Sequence, residues 1–193
     1  DHYLLDGQSV ALEETPAPIT IDTGFADITV HKSVYWSEHG PVMKNDKGAW
    51  AIRYAGMGRA IKTGEQWYRM NKAKNHAEFK AAMRTAAIPM FNTVYADAEH
   101  IAYYYNALLP LRAPGHDWVP ILPGHTRNLI WNDYLPFAEL PPIEDPPSGF
   151  VQNCNGTPWH AKNGDANPKA DAFAANFGIE TNVNNRSARS LAL

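Results

Sequence analysis

Phe91-Asn92-Thr93-Val94-Tyr95-Ala96 and Ile101-Ala102-Tyr103-Tyr104-Tyr105, joined by Asp97-Ala98-Glu99-His100, decide the fold class. Aromatic and β-branched side chains suit a pleated, half-buried surface, and a four-residue connection reverses the chain. The stretch therefore predicts an antiparallel hairpin, with the tyrosine run as a signature of β-core. The segment before it has helical texture. Asn75 followed by Glu78 has capping-box spacing, and Phe79, Met83 and the alanines between Ala81 and Ala87 continue one apolar face. Pro89 is expected to stop this helix, because proline removes a backbone donor and clashes with the preceding turn. A second helix is expected around Glu65 to Met70, with Asn71 to Lys74 as the link. Strands and helices that occupy separate stretches imply an α+β fold.

Further toward the start, Ala26 to Trp36 places Ile28, Val30 and Val34 on one parity, and Asp27, Thr29, His31 and Ser33 on the other. This predicts a strand with one wet face. Glu38-His39-Gly40-Pro41 breaks it, Pro41-Val42-Met43-Lys44 resumes extended structure, and Asn45-Asp46-Lys47-Gly48 turns into Ala49-Trp50-Ala51-Ile52-Arg53-Tyr54. A meander of antiparallel strands is the simplest arrangement. Beyond the hairpin, ten prolines fall between Pro110 and Pro158, interleaved with Trp118, Ile130, Trp131, Tyr134, Phe137 and Phe150. That texture describes an ordered strap without long regular elements. The expected organisation is a single fragment, with strands over 1–56, a helical zone over 57–89, the hairpin over 90–109, the strap over 110–159, and a polar loop with the start of a helix over 160–193.

The chain has 193 residues with 45% hydrophobic and 19% charged, enough for one substantial core and too apolar for disorder. No apolar run approaches the roughly 18 residues needed to cross a bilayer, and the opening Asp1-His2-Tyr3-Leu4-Leu5-Asp6 lacks the zones of a signal peptide. No membrane partner is expected. A net charge of -3 lacks the basic excess that tracks phosphates, so nucleic acid is excluded as a partner. The single cysteine, Cys154, forms no internal disulfide and no cysteine pair exists to hold zinc.

Three blocks carry a resemblance. Ser33-Val34-Tyr35-Trp36-Ser37-Glu38-His39-Gly40-Pro41-Val42, Asn92-Thr93-Val94-Tyr95-Ala96-Asp97, and Pro146-Pro147-Ser148-Gly149-Phe150-Val151-Gln152-Asn153-Cys154-Asn155 resemble, in order, the penicillin amidase (penicillin acylase) family. Leu135 to Pro141 leads into the third block. The likeness is strongest to the branch of aculeacin A acylase and acyl-homoserine-lactone acylases, and runs from about Ile28 to Trp159. The resemblance implies an N-terminal-nucleophile hydrolase with a four-layer αββα fold, in which a freed serine attacks and its own α-amino group is the base. It also implies an α subunit and the remainder of the β subunit as partners, an N-acyl amide as substrate (acyl-homoserine lactone, lipopeptide or penicillin-type amide), and a periplasmic or secreted location. Asp1 stands where no freed serine is offered. The chain is thus expected to be an internal fragment of the β subunit, inactive alone.

The site residues follow from the resemblance. Asn155 matches the family's oxyanion asparagine, a neutral donor to the tetrahedral intermediate, while Asn153 would be structural. Read without the family, Asn155-Gly156 is a tight turn. The family also places an arginine on the following helix. Arg189 is the first choice and Arg186 the second, with two solvated arginines as the alternative. Met90 and Phe91, at the hairpin entry, are candidates for the acyl pocket or for ordinary core packing. Calcium binds between subunit elements in some members and Asp165 lies about where one ligand would fall, but no metal or other cofactor is expected for this chain.

Other chemistries find little support. The histidines show no H-E-x-x-H spacing, Gly56-Met57-Gly58 lacks the third glycine of a dinucleotide loop, and Cys154 with His160 spans a Gly- and Pro-containing turn. A different class of function remains open: an aromatic-rich carbohydrate- or peptide-binding module, suggested by six tryptophans and nine tyrosines among strands and proline-rich loops.

Overall fold

The computed structural model describes residues 1–165 and 167–192. Ala166 and Leu193, within the stretches read as surface loop and last helix, lie outside the described residues. The chain divides into two compact units, one of Asp1–Tyr54 with Arg112–Trp131, the other of Ala55–Leu111 with Asn132–Leu193. The proline-rich strap is therefore shared between the two units. No helix among the described residues is long and apolar enough to cross a membrane.

The first unit is built of strands. β1 (His2–Leu5) and β2 (Gln8–Ala11) pair across the Asp6-Gly7 turn, and β3 (Glu13–Asp22), β4 (Asp27–Ser37), β5 (Gly40–Asn45) and β6 (Gly48–Ala51) form the expected antiparallel meander in that order. β3 carries Pro16 and Pro18 opposite Ser33 and His31, a placement that an edge strand tolerates because one side of its backbone needs no donor. The expectation of one wet face on β4 does not hold. Ile28 and Val34 are 54% and 45% exposed, and Ile19 and Ile21 across the ladder are equally open. β4 meets β5 only over Tyr35–Ser37, so its first half and β3 form a two-stranded ribbon with both faces exposed. The strand expected over 49–54 ends at Ala51. Arg53 leaves the ladder to donate from Nε to the Trp131 carbonyl at 2.6 Å.

The second unit holds the helices. α1 (Ala60–Lys72) is longer than the predicted Glu65–Met70, and α2 (His76–Met83) begins at the predicted cap, where Asn75 Oδ1 accepts from the Glu78 N–H at 2.9 Å. Pro89 does not end α2. The helix stops at Met83, and Ala86 turns through φ +46°. The cause lies far away in sequence: fully buried Gln66, on α1, accepts from the N–H groups of Ala87 (2.7 Å) and Ile88 (3.1 Å) through Oε1. Those donors are unavailable to a helix.

β7 (Met90–Ala96), β8 (Ile101–Ala107) and β9 (Pro142–Glu144) form an antiparallel sheet in that order, with the hairpin turned by residues 97–100 as predicted. β8 is buried on both faces. Ala102 and Tyr104 pack with Met70, Ala82, Met83 and Ile88 beneath the helices. Tyr103, Tyr105 and Ala107 pack on the other side with Leu140, Ile143 and Ala161. Each buried phenol finds an acceptor: Asn92 for Tyr103, Glu144 for Tyr104 and Glu180 for Tyr105. Helices covering one face of an antiparallel sheet agree with the α+β reading. The strap contributes only β9 and isolated 3-10 turns, and α3 (Asn185–Leu191) is the last element.

Candidate active site

The loop over residues 153–156, just ahead of Pro158, is organised by asparagine side chains. Asn153 Oδ1 accepts from the Asn155 N–H at 2.8 Å and its Nδ2 donates to the Gly156 carbonyl at 3.0 Å, so both ends of that amide serve the loop. Asn155 itself adopts φ +58°, a left-handed conformation that asparagine accepts more readily than most residues. Gly156 is buried against α3. A Cβ built on it would lie 2.7 Å from Ser187 Oγ, so this glycine is required by close approach. The tight turn and the site thus coincide at Asn155-Gly156.

The start of α3 is stitched to the same loop. Asn184 Oδ1 caps the helix by accepting from the Ser187 N–H at 2.9 Å, while its Nδ2 donates to the Cys154 carbonyl at 2.7 Å. Within the first turn, Arg186 Nη2 donates to the Cys154 carbonyl at 3.1 Å and to Asn155 Oδ1 at 2.8 Å. A guanidinium has only donors, so Asn155 must turn its oxygen toward Arg186 and leave its Nδ2 hydrogens for another acceptor.

Asn155 lines a cleft of about 360 Å³ together with Met90, Phe91, Asn92, Asn153 and Glu180. Met90 and Phe91 open β7 and are 38% and 53% exposed, so neither is packed in the core. The Phe91 ring stands edge-on to Trp67, with centroids 5.3 Å apart. Buried Tyr103 and Tyr105 support the cleft from behind by donating to Asn92 Oδ1 (2.5 Å) and Glu180 Oε2 (2.6 Å). Burial pushes both phenol pKa values far up, which keeps them neutral donors.

The structure brings four of the sequence-selected residues together, namely Met90, Phe91, Asn155 and Arg186. It does not bring Arg189, which is exposed and makes no side-chain hydrogen bond or ion pair with a described residue. Of the two arginines, the second choice, Arg186, is the one that hydrogen-bonds to the loop. Cys154 contributes its carbonyl to the network and its thiol is free. Asp165 is exposed, and among the described residues no three His, Cys, Asp or Glu side chains converge as metal ligands. Asn92 and Glu180 were not singled out from sequence. The available signal was the alternation of Tyr103 and Tyr105, whose buried hydroxyls both require partners.

The first unit contains a separate cleft of about 530 Å³, whose walls include Trp50, Trp118 and Trp131 with Arg53, Arg112 and His39. Arg53 lies over the Trp131 ring and Arg112 over Trp118, at 5.0 and 5.4 Å from the centroids. Burial holds His39 below the ordinary histidine value, favouring the neutral ring.

With the geometry in hand, the chain can be set beside known proteins. It is 30% identical over 182 residues to penicillin G acylase of Escherichia coli, covering 92% of this chain and 20% of that protein. It is 27% identical over 134 residues to acyl-homoserine lactone acylase QuiP of Pseudomonas fluorescens, covering 65% of this chain and 16% of the relative. The structure of a thermostable penicillin G acylase from Alcaligenes faecalis matches with a TM-score of 0.70 and 26% identity, over 88% of this chain and 31% of that one. The chain therefore spans about a fifth of the length of the Escherichia coli relative. The sequence pattern of the penicillin amidase family fits residues 1–192, beyond the Ile28 to Trp159 span of the motif resemblance, and the chain belongs to that family.

Proposed function

We propose that this chain supplies the oxyanion-stabilising wall of an N-acyl amide hydrolase. The observation that carries the reading is the Arg186 contact, which ties down Asn155 Oδ1 and leaves Nδ2 as a donor on the cleft. When a nucleophile attacks an amide carbonyl, the oxygen becomes negative. A fixed amide N–H that meets this charge lowers the barrier by roughly 3 to 4 kcal/mol. Asn155 provides that donor without titrating, and the cation on its carbonyl end polarises it further. Met90 and Phe91 form an apolar wall for the acyl group.

The described cleft lining holds no serine, threonine or cysteine, so the attacking group comes from elsewhere in the acylase. In this reading the α subunit and the remainder of the β subunit complete the site, and the 193-residue chain alone turns over no amide. The substrate is an acyl-homoserine lactone or a penicillin-type amide, as the names of the relatives suggest, or a lipopeptide, as the resemblance to aculeacin A acylase implies. The test is Asn155→Ala in the full-length acylase. The expected outcome is a kcat lowered by on the order of 10²-fold with KM little changed. An unimpaired rate would remove Asn155 from the mechanism.

A second reading, carbohydrate or peptide binding, is favoured by the tryptophan-lined cleft of the first unit, whose volume suits a small ligand. Saturable binding in a glycan or peptide screen, lost on Trp118→Ala, would support it. A silent screen would leave the acylase reading alone.

A further inference from the structure

The cleft beside Asn155 contains a carboxylate with one oxygen uncommitted. Tyr105 donates to Glu180 Oε2 at 2.6 Å, and the tyrosine is only 3% exposed, so this bond aims the carboxylate without neutralising it. Glu180 has no ion-pair partner among the described residues, and its Oε1 accepts from none of them. The guanidinium of the site is turned elsewhere, because Arg186 Nη2 is engaged by Asn155 Oδ1 and the Cys154 carbonyl. Tyr103 likewise occupies Asn92 Oδ1 and leaves Asn92 Nδ2 as a donor.

The lining therefore offers amide donors from Asn92 and Asn155, apolar surface from Met90 and Phe91, and one charged group, Glu180. A neutral acyl amide entering this space strips water from the carboxylate and offers Oε1 at most an uncharged N–H donor, with no opposite charge. A ligand carrying a protonated amine returns both an N–H donor and the opposite charge, while a ligand carrying a carboxylate is repelled.

We infer that Glu180 is a specificity-determining residue, which makes this cleft select N-acyl amides bearing a protonated amine over neutral isosteres and over carboxylates. The inference rests on the acyl-amide reading for the identity of the ligand, but its electrostatic core is open to measurement by binding alone.

The experiment titrates the 193-residue chain with benzylammonium chloride, benzyl alcohol and sodium benzoate, following the side-chain amide NMR signals of Asn92 and Asn155. Benzylammonium is expected to bind about tenfold tighter than the alcohol, the size of one charge-assisted hydrogen bond in a half-buried site, with benzoate weakest. Glu180→Gln should abolish the preference while keeping an acceptor for Tyr105. Tyr105→Phe, which preserves the charge, should retain it and serves if the glutamine variant folds poorly. Equal affinity for ammonium and alcohol in the unaltered chain, or an unchanged preference in Glu180→Gln, overturns the inference. Because no turnover is read, this failure is distinct from that of the catalytic reading, which falls if Asn155→Ala leaves the acylase rate intact.

Discussion

Arg186 and Asn155 meet at 2.8 Å, guanidinium Nη2 to amide Oδ1, across 31 residues of chain. The contact orients a side chain that is otherwise exposed and that ordinary turn geometry would leave free to flip. It also joins the loop to α3 at a point where Asn184 has already fixed the helix start.

Removing that contact should release the amide. In the full-length acylase, Arg186→Ala is expected to lower kcat by about 10- to 100-fold, the effect of a misplaced catalytic group, with a smaller change in KM. Arg186→Lys should recover only part of the rate, since a point charge lacks the planar array of donors. Arg189→Ala should behave as the unaltered enzyme. Steady-state kinetics on the three variants checks the assignment, and a larger defect in Arg189→Ala would reverse it.

Gly156 should be intolerant of a single methyl group. Gly156→Ala places Cβ 2.7 Å from Ser187 Oγ in a residue that is 3% exposed, which predicts a loss of about 1–3 kcal/mol in urea unfolding. Ser187 Oγ has no hydrogen-bond partner among the described residues, so Ser187→Ala should be close to neutral by itself and should restore part of the loss in the double variant.

Gln66 holds the chain out of helix at Ala87 and Ile88. Gln66→Leu leaves both buried N–H groups without acceptors and should destabilise the second unit by about 2–4 kcal/mol. The midpoint of urea denaturation followed by far-ultraviolet dichroism reads the effect. A shift within error would mean that the two N–H groups find other acceptors.

The hairpin turn carries a pH signature. Asp97 accepts from Tyr95 Oη (2.5 Å) and from the N–H groups of Glu99 (2.8 Å) and His100 (2.7 Å), and its carboxyl is held down to about 2 from an ordinary 3.8, chiefly by the tyrosine. A carboxyl pKa lowered by folding contributes stability that is fully present above the ordinary value and is lost as pH falls through the folded one. Stability should therefore decline between about pH 4 and pH 2, and Asp97→Asn should flatten that limb. His100 works in the opposite sense. Its hydrogen bond to Asp145 raises its pKa, so its contribution is present below the ordinary histidine range and fades as pH rises past the raised value. Thermal unfolding across pH, with Asp97→Asn and His100→Gln, separates the two limbs.

Much of the architecture was legible because it depends on near neighbours. The hairpin over 91–105 follows from alternating aromatic and β-branched residues and a short connection, and the start of α2 follows from Asn75 and Glu78, which are three residues apart. The meander follows from turn residues between extended runs. Each signal is written within one strand, one helical turn or one reversal. The second exposed face of β4 escapes the same kind of signal, since alternation reports two faces of a strand without reporting what covers either.

By itself, the amino-acid sequence determined the α+β class, the hairpin, the capped helix and, through three ordered blocks, the family. Tertiary structure alone decided that Arg186 rather than Arg189 meets Asn155, that α2 ends at Met83 because Gln66 claims the donors of Ala87 and Ile88, and that Glu180 lines one cleft with Met90 and Phe91. The physical reason is that periodicity and capping are set by backbone geometry over a few residues, whereas a hydrogen bond such as Tyr105 to Glu180, 75 residues apart, exists only once packing has placed donor and acceptor within reach.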